Sequence, residues 1–233
     1  MWSSPPSESN RRPTPYHGVA LPTELGGQWR AGLPANRRLS IATHLPARTG
    51  DSRFLDKSTA TLAGVGIVTL RLATVADAEQ IRAIYNHEVM HTVATFDLVP
   101  RSLPDQQAWL ADRSGAFAAI VAVDPDDPEG EVVGFAALSP YKERAAYRTS
   151  VEDSVYVRRD RNGRGIGSLL LAEMLQVAAT SGFHAVFARI NASSEGSIAL
   201  HRKHGFDLVG VEREVGRKFS RWHDVALMEH LIA

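Results

Sequence analysis

The run Thr149-Ser-Val-Glu-Asp-Ser-Val-Tyr-Val157, then Arg158 to Asn162, then Gly163-Arg-Gly-Ile-Gly-Ser168 decides how this chain folds. The first part alternates β-branched and aromatic residues as a strand does. A short basic loop follows, and glycines at 163, 165 and 167 lead into Leu169-Leu-Leu-Ala-Glu-Met-Leu-Gln-Val177. That last run carries apolar residues at helical spacing, and Gly182 stands where a C-terminal cap belongs. Strand, glycine loop and helix in this order aim the unpaired N–H groups of the loop and the positive end of the helix dipole at one point, where an anionic phosphate is the natural guest. A tight βα turn with no ligand has the same requirements and stays open on these residues alone.

Two phosphate loops are excluded by spacing. The dinucleotide fingerprint G-x-G-x-x-G lacks its third glycine, because Ser168 and Leu169 follow Gly167. A P-loop requires a lysine after its last glycine, and none follows Gly167.

Composition narrows the classes further. Of 233 residues 44% are hydrophobic and 22% charged, as in a soluble globular protein. Lys plus Arg and Asp plus Glu both number 26, so bulk charge does not favour nucleic acid. Residues 1–66 hold 8 basic and 4 acidic residues, leaving 18 and 22 for residues 67–233. The chain has no cysteine, which rules out disulfides, thiolate metal sites and a cysteine nucleophile and fits a cytoplasmic protein. No apolar run reaches the ~20 residues of a membrane span, so no membrane partner is expected.

Residues 1–66 contain 7 of the 12 prolines and no sustained period, and read as a poorly ordered extension. A domain is expected over 67–233. Strands are predicted at Ile67–Leu72, Phe117–Val123, Glu131–Leu138, Thr149–Val157, His184–Ile190, Phe206–Arg213 and Asp224–Ile232. Helices are predicted from the capping box at Thr74–Asp77 through Met90, over Asp105–Arg113, after Gly167, and over Glu195–His204. Asp124–Gly130 is a turn, and Val215–His223 reads as a loop. This α/β order puts the glycine loop just after a strand, where open sheets bind ligands.

Glycines two apart after a basic loop resemble the acyl-CoA pyrophosphate loop of the GCN5-related N-acetyltransferases (GNAT). That loop reads Arg or Gln, two residues, Gly, one residue, Gly or Ala, and falls here on Asn162, Gly165 and Gly167. Further segments tighten the resemblance: Ile84-Tyr-Asn-His87, Ala146-Tyr147, Val151-Glu152, Ser154–Val157, Ser197-Ile-Ala-Leu-His201, Gly205-Phe206 and Val215–Val225. In this order they look like the phosphinothricin acetyltransferases and their relatives that act on methionine sulfoximine or sulfone. The resemblance covers roughly residues 67–233. It implies an α/β GNAT acyl-CoA N-acyltransferase fold, with a mixed central sheet flanked by helices, and a homodimer. The implied activity is acetyl-CoA-dependent N-acetylation of a small-molecule amine such as an amino acid or its analogue, in a detoxifying role. Acetylation of a protein N-terminus or a polyamine, or a non-catalytic acyl-CoA-binding module, are the alternatives.

The resemblance also implies roles for particular residues. Val155, Tyr156 and Val157 would hold the acetyl and pantetheine portion through backbone groups, one N–H serving as oxyanion donor. Gly163, Arg164, Gly165, Ile166, Gly167 and Ser168 would hold the pyrophosphate. Ser194 takes a place where the family often has a cofactor-binding asparagine, three residues before Ser197. Glu152 is the implied general base, since a free amino-acid amine is mostly protonated at neutral pH. A strand glutamate paired with Arg144, Arg148 or Arg189 is the competing reading. Asp153 alternates to the other face and reads as structural. His201 stands where this branch places a histidine that can protonate the leaving thiolate; a solvent-facing helix histidine is the alternative. Arg144, Arg217, Lys218 and Arg221 are candidate grips for substrate carboxylate, and Asn86, Phe96, Tyr147 and Trp222 candidate pocket walls. His87 and Glu88 are adjacent on a helix and diverge, so no metal site is expected.

Overall fold

In a computed structural model the chain is described over residues 58–62, 66–113, 115–124 and 130–232. Eight strands form one sheet: β1 (Ser58–Leu62), β2 (Gly66–Leu72), β3 (Ala119–Val123), β4 (Val132–Pro140), β5 (Ser150–Val157), β6 (Ala185–Asn191), β7 (Asp207–Lys218) and β8 (Arg221–Leu231). Their spatial order is β1-β2-β3-β4-β5-β6-β8-β7. Among these pairs only β5 and β6 run parallel. Helices α1 (Ala78–His91), α2 (Leu103–Ala111), α3 (Ile166–Thr180) and α4 (Glu195–Lys203) complete the fold.

The central strands β3 and β4 run apolar on both faces because both faces are covered. Ile120, Ala122, Ala136, Leu138 and Val151 join Leu170, Leu171 and Met174 of α3 in one core. Val121, Val132, Phe135 and Ala137 join Ile81, Ile84 and Tyr85 of α1 and Leu110 of α2 in the other. Gly134 is where α3 lies closest to the sheet: a Cβ there would come 3.1 Å from Leu170 Cδ1 and 3.0 Å from the Tyr156 carbonyl oxygen.

The capping box at Thr74 forms, with Asp77 reaching back to the Thr74 N–H at 2.7 Å and taking Arg71 as a second partner. Thr74 opens a 3-10 turn, Val75–Asp77, that runs into α1. Two readings need correcting. The sheet gains β1 at Ser58–Leu62, inside the segment read as an extension, paired antiparallel to β2; the reading of residues 1–57 as poorly ordered lies outside the described residues. Its sequence, Ser-Thr-Ala-Thr-Leu, is too short and too weakly alternating to signal a strand. The expected loop Val215–His223 is a hairpin instead, with β7 and β8 in register to Lys218 and Arg221. Phe219 and Ser220 make its two-residue turn with φ of 49° and 61°. Both angles are positive, as a type I′ turn demands, yet neither residue is the Asn or Gly that advertises one.

Candidate active site

Three residues of β5 (Ser150, Val151 and Glu152) pair with Ala185, Val186 and Phe187 of β6, and the pairing stops there. On its other side β5 stays paired with β4 over its whole length, from Val151 opposite Pro140 to Val157 opposite Gly134. The Arg158 N–H donates to the Val133 carbonyl, which fixes the phase of that ladder. In an antiparallel pair the backbone groups of alternate residues point to opposite edges. Those of Ser154 and Tyr156 therefore face β4, while those of Asp153, Val155 and Val157 face the gap left by β6. The sheet thus opens a slot whose one wall is a strand edge with free N–H and C=O groups. Val155 and Val157 present the backbone groups that an extended, amide-bearing arm would need. Tyr156 does not, because its backbone is spent on Phe135; its ring stacks on Phe135 at 5.1 Å and meets Tyr85 edge-on at 5.3 Å.

Beyond Val157 the chain makes the turn Arg159–Arg161 and enters the glycine loop. Gly163 and Gly165 adopt φ of 74° and 84°, left-handed conformations that a side chain disfavours, and Gly165 caps α3. A cavity of about 760 Å³ runs over this loop, lined by Val155–Val157, Gly163, Gly165–Ser168, Ser194 and Ser197. Arg164 is exposed and outside that lining. A second cavity of about 340 Å³ shares Val155, Tyr156, Ser194 and Ser197 with the first and reaches Glu152, His201 and Phe96. The glycine loop and the carboxylate of Glu152 are therefore joined by one path along the free strand edge.

Glu152 is partly buried, and its side chain makes no hydrogen bond to another described residue. Burial pushes its carboxyl above the usual range; Arg189 opposes the shift, while Asp153 and Glu212 add to it. Arg189, the arginine among the cavity's lining residues, is held by Glu212 at 2.5 Å and not by Glu152. The ion-pair reading of Glu152 with Arg144 or Arg148 is likewise absent among the described residues.

His201 is buried rather than solvent-facing, 4% exposed, with Nδ1 2.7 Å from the Ser197 carbonyl and Nε2 3.1 Å from Asp153 Oδ2. Burial lowers its proton affinity, but the Asp153 hydrogen bond and charge, helped by the Ser197 carbonyl, outweigh that and raise it overall. Asp153 is thus not merely structural by virtue of its face. It does point away from Glu152, but where β5 leaves β6 both faces of the strand border the cavity. Asp153 Oδ1 and Asn191 Nδ2 are buried without a partner among the described residues, and both residues line that cavity. An orphan acceptor and an orphan donor in one cavity are costly in a closed protein and call for a polar guest.

Other candidates lie elsewhere. Asn86 is buried and brackets Arg101, its amide donating to the Arg101 carbonyl at 2.9 Å and accepting from the Arg101 N–H at 2.8 Å. Lys218 is 3% exposed and donates to the carbonyls of Thr95 (2.7 Å) and Glu88 (3.4 Å); burial lowers its proton affinity against the pull of Asp97 and Glu88. It is a strut, not a free cation, and holds the segment that presents Phe96. Arg144 and Tyr147 are exposed in the connection from β4 to β5, with Tyr147 edge-on to Tyr141. Arg221 and Trp222 are exposed at the hairpin, Arg217 standing 5.7 Å over the Trp222 ring. None of these seven lines the cavity that holds Glu152. Tyr85, Thr95 and Asn191 do line it; Tyr85 lies in the resemblance segment Ile84-Tyr-Asn-His87, whereas Thr95 and Asn191 carry no sequence signal of their own.

Phe96 rests directly on Gly216, where an added Cβ would fall 2.0 Å from Phe96 Cε2. Gly216→Ala is therefore expected to swing the Phe96 ring away from the cavity. The expected result is a roughly tenfold rise in the KM of the second substrate and destabilisation of about 1–2 kcal/mol from overpacking. Affinity for a ligand of the glycine loop should stay unchanged, as titration of each ligand would show.

A sequence model described as an acetyltransferase (GNAT) domain matches residues 70–227. A phosphinothricin N-acetyltransferase of Streptomyces coelicolor is 40% identical over 168 residues, covering 71% of this chain and 97% of the relative. An L-methionine sulfoximine/L-methionine sulfone acetyltransferase of Pseudomonas aeruginosa is 38% identical, covering 69% and 92%. Among solved structures, a GNAT superfamily phosphinothricin acetyltransferase from Sinorhizobium meliloti in complex with AcCoA superposes with a TM-score of 0.67 at 36% identity, covering 71% of this chain and 89% of that one.

Proposed function

This chain belongs to the GNAT acetyltransferase family, and on that premise we propose that it transfers the acetyl group of acetyl-CoA to the amino group of a small amino acid or analogue of the phosphinothricin and methionine sulfoximine or sulfone type. The observation that carries this reading is the single path from the glycine loop, along the free edge of Val155 and Val157, to the partly buried Glu152. The residues fit acetyl-CoA: a helix N-terminus and loop N–H groups suit a diphosphate, and the free strand edge suits the amides of its arm. When bound, it supplies a thioester carbonyl as the acyl donor.

Glu152 takes a proton from the substrate ammonium, directly or through water, so that the amine lone pair can attack. Its raised proton affinity brings it closer to the working pH than an ordinary glutamate, which suits a base. A backbone N–H of the free edge, at Val155 or Val157, serves as donor to the developing oxyanion. His201 supplies a proton to the departing sulfur.

We further infer a cytoplasmic homodimer. Edge strand β7 exposes Leu208, Val209, Val211 and Val215, between 46% and 54% accessible, beside the bare ring of Trp222 at 60%. A second copy that covered this face would also bring charged hairpin residues such as Arg221 toward a site. Leu208→Lys with Val211→Lys is expected to yield monomers by sedimentation; an unchanged dimer would move the interface elsewhere.

The test of the function is release of free CoA from acetyl-CoA over a panel of phosphinothricin, methionine sulfone, methionine sulfoximine, ordinary amino acids, polyamines and short peptides. Saturable turnover confined to the amino-acid analogues supports the reading. Turnover confined to peptides or polyamines keeps the chemistry and replaces the substrate.

A further inference from the structure

The His201 ring has no nitrogen to spare. A carbonyl oxygen only accepts, so Nδ1, 2.7 Å from the Ser197 carbonyl, carries a hydrogen. Nε2 faces Asp153 Oδ2 at 3.1 Å. A neutral imidazole with its hydrogen on Nδ1 would turn the Nε2 lone pair onto a carboxylate, an arrangement in which neither atom is a donor. The geometry leaves two compatible states: an imidazolium facing a carboxylate, or a neutral imidazole facing a protonated Asp153. Either way the pair holds one proton more than two independent groups would at neutral pH.

Resting on the acetyl-transfer reading above, we propose that Asp153 is a positioning residue: it locks His201 between two acceptors with a proton on Nε2, at the wall of the cavity where the thiolate departs. The surroundings give the proton no rival holder. From β5, Glu152 lies on the opposite face of the strand. On α4 itself Glu195, Arg202 and Lys203 are exposed, and His204 is turned to Ser168 Oγ at 2.7 Å. On β6, Arg189 is engaged by Glu212. On β8, His230 is separated from His201 by the Phe206 ring, with centroid distances of 5.4 and 5.0 Å, and its Nδ1 is taken by the Gly205 carbonyl. Asp153 has the only carboxylate that touches the ring among the described residues.

The step balances without any other reactant. Glu152 passes the first proton, taken from the ammonium, to solvent; the neutral amine nitrogen then forms a bond to the acyl carbon and gives its second proton to the again ionised Glu152. The carbon–sulfur bond breaks with its electron pair passing to sulfur, and the sulfur takes the Nε2 proton. His201 is left neutral with its hydrogen still on Nδ1, its Nε2 lone pair against the Asp153 carboxylate. That clash drives rapid recapture of a proton, while Glu152 releases its own to solvent. Asp153 thus resets the acid after each turnover.

Asparagine is the informative replacement, because its amide can donate to Nε2 and so suits a neutral ring. Nitrogen-detected NMR of the imidazole at pH 7.5, on the protein without ligand, is expected to show the proton-bearing pair in the wild type. In Asp153→Asn it should show a neutral Nδ1–H ring with the melting temperature largely kept. With acetyl-CoA and a turned-over amine, the alkaline limb of kcat should move to lower pH in Asp153→Asn, and kcat at pH 7.5 should fall about tenfold or more. KM for both substrates should change little. Asp153→Asn should cost nothing further in a His201→Gln background. A wild-type ring that is neutral with an ionised Asp153, or a pH profile unmoved by Asp153→Asn, overturns the proposal. Failure of every amine on the panel overturns the acetyl-transfer reading instead, and leaves the NMR result standing by itself.

Discussion

Replacing Glu152 with glutamine is expected to lower kcat/KM by roughly 10²- to 10³-fold, the usual worth of a positioned general base, while leaving acetyl-CoA affinity intact. Glutamine keeps the shape of the side chain and cannot take the proton. The wild-type rate should fall as pH drops through the raised pKa of Glu152, since only the ionised form is a base, and this acid limb should vanish in the variant. The same shift has an opposite consequence for stability. A carboxyl whose folded pKa lies above its unfolded value binds protons more strongly in the native state. Its ionisation therefore destabilises the fold progressively as pH rises from the unfolded value through the folded one. Above that window the full penalty applies, and there Glu152→Gln should melt slightly higher than the wild type. A variant that is slower and more stable is the signature of a group held in place for chemistry. Loss of both activity and stability would instead mark Glu152 as structural.

Gly167→Asp should separate ligand binding from folding even more cleanly. Gly167 is the second residue of α3, and its added Cβ would meet Leu200 Cδ2 at 3.4 Å and Val157 Cγ2 at 3.6 Å, close but tolerable. An aspartate in a first helical turn favours the dipole by about 0.3–1 kcal/mol, so the unliganded protein should melt no lower. The bound diphosphate would face that new charge: like charges roughly 5 Å apart at an effective dielectric near 20 repel by about 3 kcal/mol. The expected result is a loss of acetyl-CoA affinity of around 100-fold by calorimetry, with an intact circular dichroism spectrum. Unchanged affinity would move the diphosphate away from this loop.

Much of this was legible in the residues. The strand from Thr149 to Val157, the glycine loop and α3 were all readable, because alternation, glycine spacing and helical period are local properties. Glu152 was a candidate because the family resemblance implies a general base at that place on the strand. What escaped was set by partners distant in sequence. Lys218 looks like a free cation on a loop until the hairpin carries it to the carbonyls of Thr95 and Glu88. Asn86 looks like a pocket residue until Arg101, fifteen positions on, takes both ends of its amide. Asp153 obeys strand alternation, and alternation misleads where a strand loses its neighbour and both of its faces meet one cavity. Tyr156 sits amid residues with free backbone groups, and only the phase of the ladder with β4 shows that its own are used.

An unpaired strand edge ordinarily invites another chain to add to it, and proteins guard such edges with charge, proline or a bulge. The inner edge of β5 carries none of these at Val155 and Val157. It is guarded by position. β5 is an inner strand of the sheet, and Ser194, Ser197 and His201, near and in α4, line the opening between it and the departing β6, so the free edge lies inside a recess and not at the rim where another chain would add. The recess that admits the donor is also what keeps the protein from sticking to itself there. Bulkier residues at Ser194 or Ser197 would fill the opening and lower activity without promoting aggregation.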